Sequence, residues 1–249
     1  MCALAFTLYS AWLLTRIALD CWVTSSPSEL GKKRAFALIA MKAGKPKLAV
    51  LSDLCQLAAF TANLLFTLVF GNSVAAHLIE DSYLVRGLAS GLGVLVVLLS
   101  AKGFRVITLA TAAYLPVFII TAALIGKLEP SGENQYTARS ILLLQANTAT
   151  NVLPLFFQVR DNLAKELQTW KPTLKIFIIS IVLAAFAFGF INRIVPDTLF
   201  TATSLSLIAS VSAAGALKAA DTTWLSLTGS NRKCGSVLLV AVGTLSVFV

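Results

Sequence analysis

Charge is what this chain has least of. Only 12% of its 249 residues are Asp, Glu, Lys or Arg, where an ordinary soluble domain carries about 25%. That shortage excludes a soluble globular enzyme, whose surface needs charge, and a disordered chain, which needs it to stay solvated. Histidine is nearly absent. With 1 in the whole chain, His77, neither a bis-histidine haem nor a histidine-rich metal centre can be built. The 4 cysteines, Cys2, Cys21, Cys55 and Cys234, show no CxxC spacing, which excludes a disulfide scaffold and argues against zinc or iron–sulfur ligation. They read as small apolar fillers, and no metal or cofactor is expected. Membrane-enzyme signatures are missing too: there is no HExxH, no GxSG and no clustered carboxylate pair. Pro130-Ser131-Gly132 resembles a phosphatase fragment but lacks a following histidine. Catalysis is not expected.

What the chain has in excess is apolar surface. Hydrophobic residues make up 57% of it, and its mean hydropathy is +0.84. The net charge of +9 does not indicate nucleic acid, because the basic residues stand in short connections between apolar runs rather than on one face. A membrane helix needs about 20 mostly apolar residues. Eight segments meet or approach that length: 2–23, 48–71, 84–101, 104–126, 139–158, 173–194, 199–218 and 235–249. The third and eighth are short, and the eighth reads as a half-span or an interfacial segment. The seventh has an alternative frame at 205–227, because Lys218 and Asp221 interrupt a longer apolar stretch. The first lacks a basic leader and is interrupted by Arg16 and Asp20, so it reads as a retained helix rather than a cleaved signal. No Asn-x-Ser/Thr sequon occurs.

The connections alternate in charge. The first holds Lys32, Lys33, Arg34, Lys42, Lys45 and Lys47 against Glu29; the third holds Lys102 and Arg105. In the fifth, Arg160, Lys165, Lys171 and Lys175 outnumber Asp161 and Glu166, and the seventh carries Lys218, Arg232 and Lys233 against Asp221. The second, fourth and sixth are neutral or nearly so. The positive-inside rule then places the odd connections on the cytoplasmic, matrix or stromal side and the N-terminus on the other. The expected fold class is all-α: a polytopic integral membrane helical bundle of 7–8 transmembrane helices, residues 1–249 forming a single transmembrane domain. The expected location is an organellar inner membrane or the plasma membrane.

The first connection is long enough to fold. Ser26, Pro27 and Glu29 read as a helix start, with Ser26 as N-cap and Glu29 closing a capping box. Gly44, Lys45 and Pro46 read as the stop. A short amphipathic basic helix at about 27–43 is expected, with Lys32, Lys33 and Arg34 against anionic lipid headgroups. In the fifth connection Asp161 and Lys165 are spaced to pair along a helix. Trp170 falls at the interface, and Pro172 suits the first turn of the next helix.

Polar groups in hydrocarbon are costly, so each one asks for a reason. Arg16 and Asp20 share a helix face, where they can pair or snorkel. Asp53 lies a turn inside the second segment, followed by Gln56, Thr61 and Asn63. Asp53, Gln56 and Phe60 fall along one stripe, as do Gln56 and Asn63. Asp53 could titrate or pair with Arg16. The fifth segment is the most polar: Gln145, Asn147, Thr148, Thr150 and Asn151 precede Pro154, which frees a carbonyl near Thr150. These amides need other helices or a wet cavity. Pro116 is expected to kink the fourth segment. Gly87 and Gly91, at GxxxG spacing with Ser90 and Gly93 nearby, and Ser206, Ser210, Ala214 and Gly215 read as helix-packing surfaces. Lys218 is not read as a retinal lysine, since Asp221 follows at three residues and no aromatic pocket pattern accompanies it.

The run Leu153-Pro154-Leu155-Phe156-Phe157-Gln158-Val159-Arg160 is similar in place to the Pro-Gln loop of the PQ-loop and sugar-porter group. That likeness implies a seven-helix transporter plan with the N-terminus outside. The chain departs from it where Leu155 replaces the glutamine, in lacking a first-segment proline, and in an eighth segment. The function expected from the residues is a transporter or channel for a small polar solute, its path lined by segments one, two and five. The alternative is a non-catalytic polytopic subunit of a larger respiratory, photosynthetic or translocation complex, with other membrane chains as partners.

Overall fold

The computed structural model describes residues 9, 12–14, 16–17, 20, 35–79, 81–127, 170–191, 193–195, 197–229 and 234–249. The expectations for 139–158, and for Ser26 to Arg34, lie outside these residues. Among the described residues every regular element is a helix. The longer ones are α1 (Ala35–Lys42), α2 (Pro46–Leu78), α3 (Tyr83–Lys102), α4 (Phe104–Leu124), α5 (Trp170–Ile191), α6 (Leu199–Thr228) and α7 (Gly235–Ser246).

Local chemistry sets the ends. α1 stops because Gly44 adopts φ +70°, a conformation that costs glycine little. Gly44 N–H then donates to the Met41 carbonyl and Lys45 N–H to the Ala40 carbonyl, the paired bonds of a Schellman stop. Pro46 opens α2 at a position whose N–H has no helical partner anyway. The hydroxyl of Ser82 caps α3 by accepting Val85 N–H at 3.3 Å. α4 ends as α1 does: Gly126 has φ +69°, with Gly126 N–H donating to Ala123 and Lys127 N–H to Ala122. Thr198 and Thr201 cap α6 reciprocally, each hydroxyl accepting the other's backbone N–H at 3.2 and 3.3 Å.

Two elements outrun the spans expected of them. α2 has 33 residues, about 50 Å of helix against a hydrocarbon core of about 30 Å. α6 has 30 residues and joins both frames considered for the seventh segment. α3 and α4 keep close to their expected bounds, divided by Gly103, and α4 runs unbroken through Pro116. α7 covers 12 residues, about 18 Å.

Among the described residues four helices, α2, α3, α6 and the Val106–Leu124 part of α4, are long and apolar enough to cross a membrane. Their outward faces match that use. Leu84, Leu88, Leu92, Leu95 and Leu99 form one exposed stripe down α3, each more than half exposed. A soluble monomer does not leave so continuous an apolar surface in water. The fold is consistent with an integral helical membrane protein.

The chain divides into two compact units. One comprises Ala58–Ser131, Ala187–Asp221 and Lys233–Val249. Within it α4 and α6 run antiparallel, because Lys218 Nζ lies 4.3 Å from the Phe104 ring centre, Tyr114 hydroxyl meets Ser204 hydroxyl at 2.7 Å, and Phe118 packs on Phe200 at 5.8 Å. Phe118, Ala122, Ile194 and Leu205 form one buried cluster of it. The portion of α6 alongside α4 is therefore 199–218, the first of the two frames, with Lys218 level with the first residue of α4. At the other end, Lys127 Nζ pairs with Asp197 at 2.6 Å, and Val195 N–H donates to the Lys127 carbonyl. α3 packs on α7, where Gly243 admits Val94 so closely that a Cβ would stand 2.7 Å from its Cγ2. Gly87 and Gly91, by contrast, face open space. The close helix contacts use Gly243 and, of the expected small residues of α3, Ser90 and Gly93, where a Cβ would stand 2.7 Å from Leu68 Cδ2, rather than the GxxxG pair itself.

The other unit comprises Met1–Leu57, Gly132–Phe186 and Thr222–Arg232. Here α1 buries Ala37, Leu38 and Ala40, with Ala37 and Ala40 in one cluster with Ala49 of α2, while Met41 and Lys42 stay exposed. α5 buries Thr173, Leu174 and Phe177. Pro172 sits in its first turn, as expected.

Candidate functional site: a buried carboxylate and amide

In α2 the expected stripe is real. Asp53 is 1% exposed, Gln56 6% and Phe60 2%. The three stand at spacings of three and four, so they occupy one inward face. Beyond Phe60 burial follows Leu64, Thr67 and Leu68, which turns the buried face away from Asn63. Asn63 is half-buried, and its carbonyl accepts the Thr67 hydroxyl at 2.9 Å.

Asp53 meets the end of α6. Ser226 Oγ donates to Asp53 Oδ2 at 2.8 Å, and both residues are buried. Thr223, one turn earlier on α6, is buried as well. A hydroxyl donating to a carboxylate is among the stronger hydrogen bonds. It offsets part of the cost of holding a carboxylate away from water.

Gln56 is the residue in deficit. Its Nε2 is buried and has no hydrogen-bond acceptor. An unmet buried donor costs about 1–3 kcal/mol, a price a membrane helix could avoid with leucine. Asp53 only accepts hydrogen bonds when ionised, whereas the Gln56 amide nitrogen only donates. At a spacing of three on one helix their Cβ atoms lie about 5–6 Å apart. Such a pair suits a neutral group that both donates and accepts, such as a hydroxyl or an amide.

The remaining expected residues are distributed as follows. Arg16 and Asp20 are both exposed. The Arg16 guanidinium carbon lies 5.5 Å from the ring centre of Trp12, one turn earlier. Gln145, Asn147 and Asn151, and the basic trio Lys32, Lys33 and Arg34, lie outside the described residues. Among the described residues no group of His, Cys, Asp and Glu side chains could hold a metal ion. Sequence reasoning missed Ser226; its signal was a Thr222, Thr223, Ser226 run at helical spacing beyond Asp221.

Two titratable groups lie outside the spans. The Lys127 ammonium bonded to Asp197 holds that carboxyl below the usual range. Burial pushes the Cys234 thiol up, and the nearby Asp221 charge adds to it. Asp221 accepts Gly235 N–H at 2.7 Å and so caps α7.

Comparison with protein-family models, with curated proteins and with solved structures finds no match to this chain.

Proposed function

We propose that this protein is a transporter or channel for a small polar solute, with Asp53 and Gln56 on its path. The single observation that carries the reading is the buried Gln56 amide nitrogen without an acceptor, one turn from a buried carboxylate. Hydrogen-bond glue between helices would have closed that deficit; a site that exchanges water for solute leaves it open. Arg16, Asp20, Asn63, Gln145, Asn147 and Asn151 are the further path candidates.

The topology that goes with this reading has seven or eight spans and the N-terminus on the non-cytoplasmic side. The alternating loop charges support it. So do the contacts: Lys127 and Asp197, from the fourth and sixth connections, meet each other, and Lys218 meets Phe104 beside the third. Each pair joins connections that the alternation assigns to one side. Lys32, Lys33 and Arg34 then lie at the anionic headgroups of the cytoplasmic, matrix or stromal leaflet.

The experiment is stopped-flow light scattering of proteoliposomes challenged with glycerol, urea, glycine and glucose. Flux of at least one above empty vesicles, reduced at least about tenfold by Asp53→Leu, a barrier change of about 1.4 kcal/mol, supports the reading. No flux for the panel sinks it. The subunit reading is favoured by one observation, the open face of Gly87 and Gly91. Gentle solubilisation tests it: a fixed set of co-purifying chains supports it, and a lone particle contradicts it.

A further inference from the structure

The turn between α1 and α2 stands clear of the unit it belongs to. α1 folds back on α2 because Ala37 and Ala40 meet Ala49, side chains small enough to let the two helices lie close. The turn itself reaches outward. From Met41 to Leu48 every residue is exposed, and burial resumes only at Ala49. Lys42, Lys45 and Lys47 fall within that stretch. No Asp or Glu occurs between Ala35 and Ser52 to balance them.

Next to the lysines the same surface is apolar. Along α2, Lys47, Leu51 and Leu54 follow at spacings of four and three and share one face, turned away from the buried Ala49, Asp53 and Gln56. Leu48 is 55% exposed, Leu51 54% and Leu54 47%. The face thus begins in positive charge and continues as bare hydrocarbon into the apolar run 48–71. A soluble acidic peptide would pair with the lysines and leave the leucines uncovered. A zwitterionic lipid would cover the leucines and leave the charge unmet. A second copy of this chain would bring its own lysines to the same place. A phospholipid with a net negative headgroup meets both parts of the surface at once.

We propose that the α1–α2 turn is a docking surface for an anionic phospholipid of the surrounding leaflet. The phosphate lies among Lys42, Lys45 and Lys47, and an acyl chain runs along Leu51 and Leu54. Lysine stems lie on apolar surface while their ammonium groups reach the phosphate. Anionic leaflets attract such clusters beside a membrane helix. The leucine face adds a contact that charge alone does not supply, so the lipid is held at one place rather than as a diffuse counter-ion. This deepens the headgroup contact proposed for Lys32, Lys33 and Arg34. It rests on α2 crossing a membrane, and it stands whether or not Asp53 and Gln56 carry a solute.

The test is thermal unfolding of the full chain in detergent micelles, with dioleoyl phosphatidylglycerol or dioleoyl phosphatidylcholine titrated in. A ligand that binds only the folded state raises the melting temperature saturably. Phosphatidylglycerol is expected to do so and phosphatidylcholine is not. Lys42→Gln, Lys45→Gln and Lys47→Gln combined should weaken the apparent affinity by about tenfold or more, and Leu51→Ser should weaken it as well. Glycerol 3-phosphate, the headgroup without its chains, should leave the melting temperature unmoved. Equal responses to the two lipids, a response to glycerol 3-phosphate that matches the lipid, or an affinity unchanged in the lysine variant overturns the surface. A response lost only when Lys32, Lys33 and Arg34 become glutamine leaves their headgroup contact standing and overturns this one. A photoreactive side chain at Leu48, activated in intact membranes, gives a second reading. A lipid adduct supports the surface; a protein adduct or a cross-linked dimer overturns it.

Discussion

At the scale of single residues, cost separates a site from a scaffold. Gln56 carries a buried amide nitrogen with nothing to donate to. Gln56→Met keeps the length of the side chain and removes the unmet donor. The variant should melt at or above the parent temperature, by up to about 1–3 kcal/mol, while solute flux falls. A loss of stability with flux unchanged would make Gln56 a structural residue. Asp197 allows a pH prediction. Its folded-state carboxyl is held below the usual carboxylate range by the Lys127 ammonium, so the pair stabilises the fold above that range. The contribution disappears as pH falls through the lowered folded value. Asp197→Asn should therefore lower the melting temperature slightly at neutral pH and match the parent in acid below the folded value, which flattens the acid limb of the melting curve. Asp53, Gln56 and Phe60 were legible as a stripe because helical spacing alone puts them together. Ser226 was not, because its role depends on where a residue 173 positions further along the chain comes to rest.

At the scale of elements, glycine placement decides which helix faces meet. A Cβ on Gly243 would stand 2.7 Å from Val94 Cγ2, and a β-branched neighbour has little freedom to move. Gly243→Ala should cost about 1–3 kcal/mol through overpacking. Gly91→Ala, facing open space, should be neutral or gain up to about 1 kcal/mol from helix propensity. Melting temperatures of the two variants check both signs; the reverse order would refute the α3–α7 contact. The GxxxG spacing was plain in the sequence, yet spacing names a face that permits contact and not the partner that uses it. Helix starts and stops were more legible. Gly44, Pro46 and Pro172 act through backbone geometry that needs no tertiary partner. Helix length was less so: α2 and α6 run on beyond their apolar windows through polar residues such as Asn72 and Thr223, which are buried in the fold instead of ending the helix.

For the whole molecule, transport as proposed needs a membrane-spanning chain with a wetted polar interior. Lys42 and Ile79 flank α2, and both are exposed. Lys42→Cys and Ile79→Cys should label with an impermeant maleimide from opposite sides of intact cells or vesicles. Labelling of both from one side would remove α2 as a span, and with it the alternation of the loops. The membrane class itself was legible from composition, because 57% hydrophobic content with 12% charge leaves a soluble surface uncovered. The polar interior was legible only as a list of costly residues, since water and packing satisfy amides equally well until positions are known. One measurement separates those two outcomes most directly. Gln56→Cys, made in a chain with Cys2, Cys21, Cys55 and Cys234 replaced by alanine, is exposed to a small water-borne methanethiosulfonate in proteoliposomes, with Lys42→Cys as the accessible control. A wetted path predicts modification of Gln56→Cys and block of solute flux as it proceeds. An inert Gln56→Cys beside a fully modified Lys42→Cys would mean a dry interior and contradict the account.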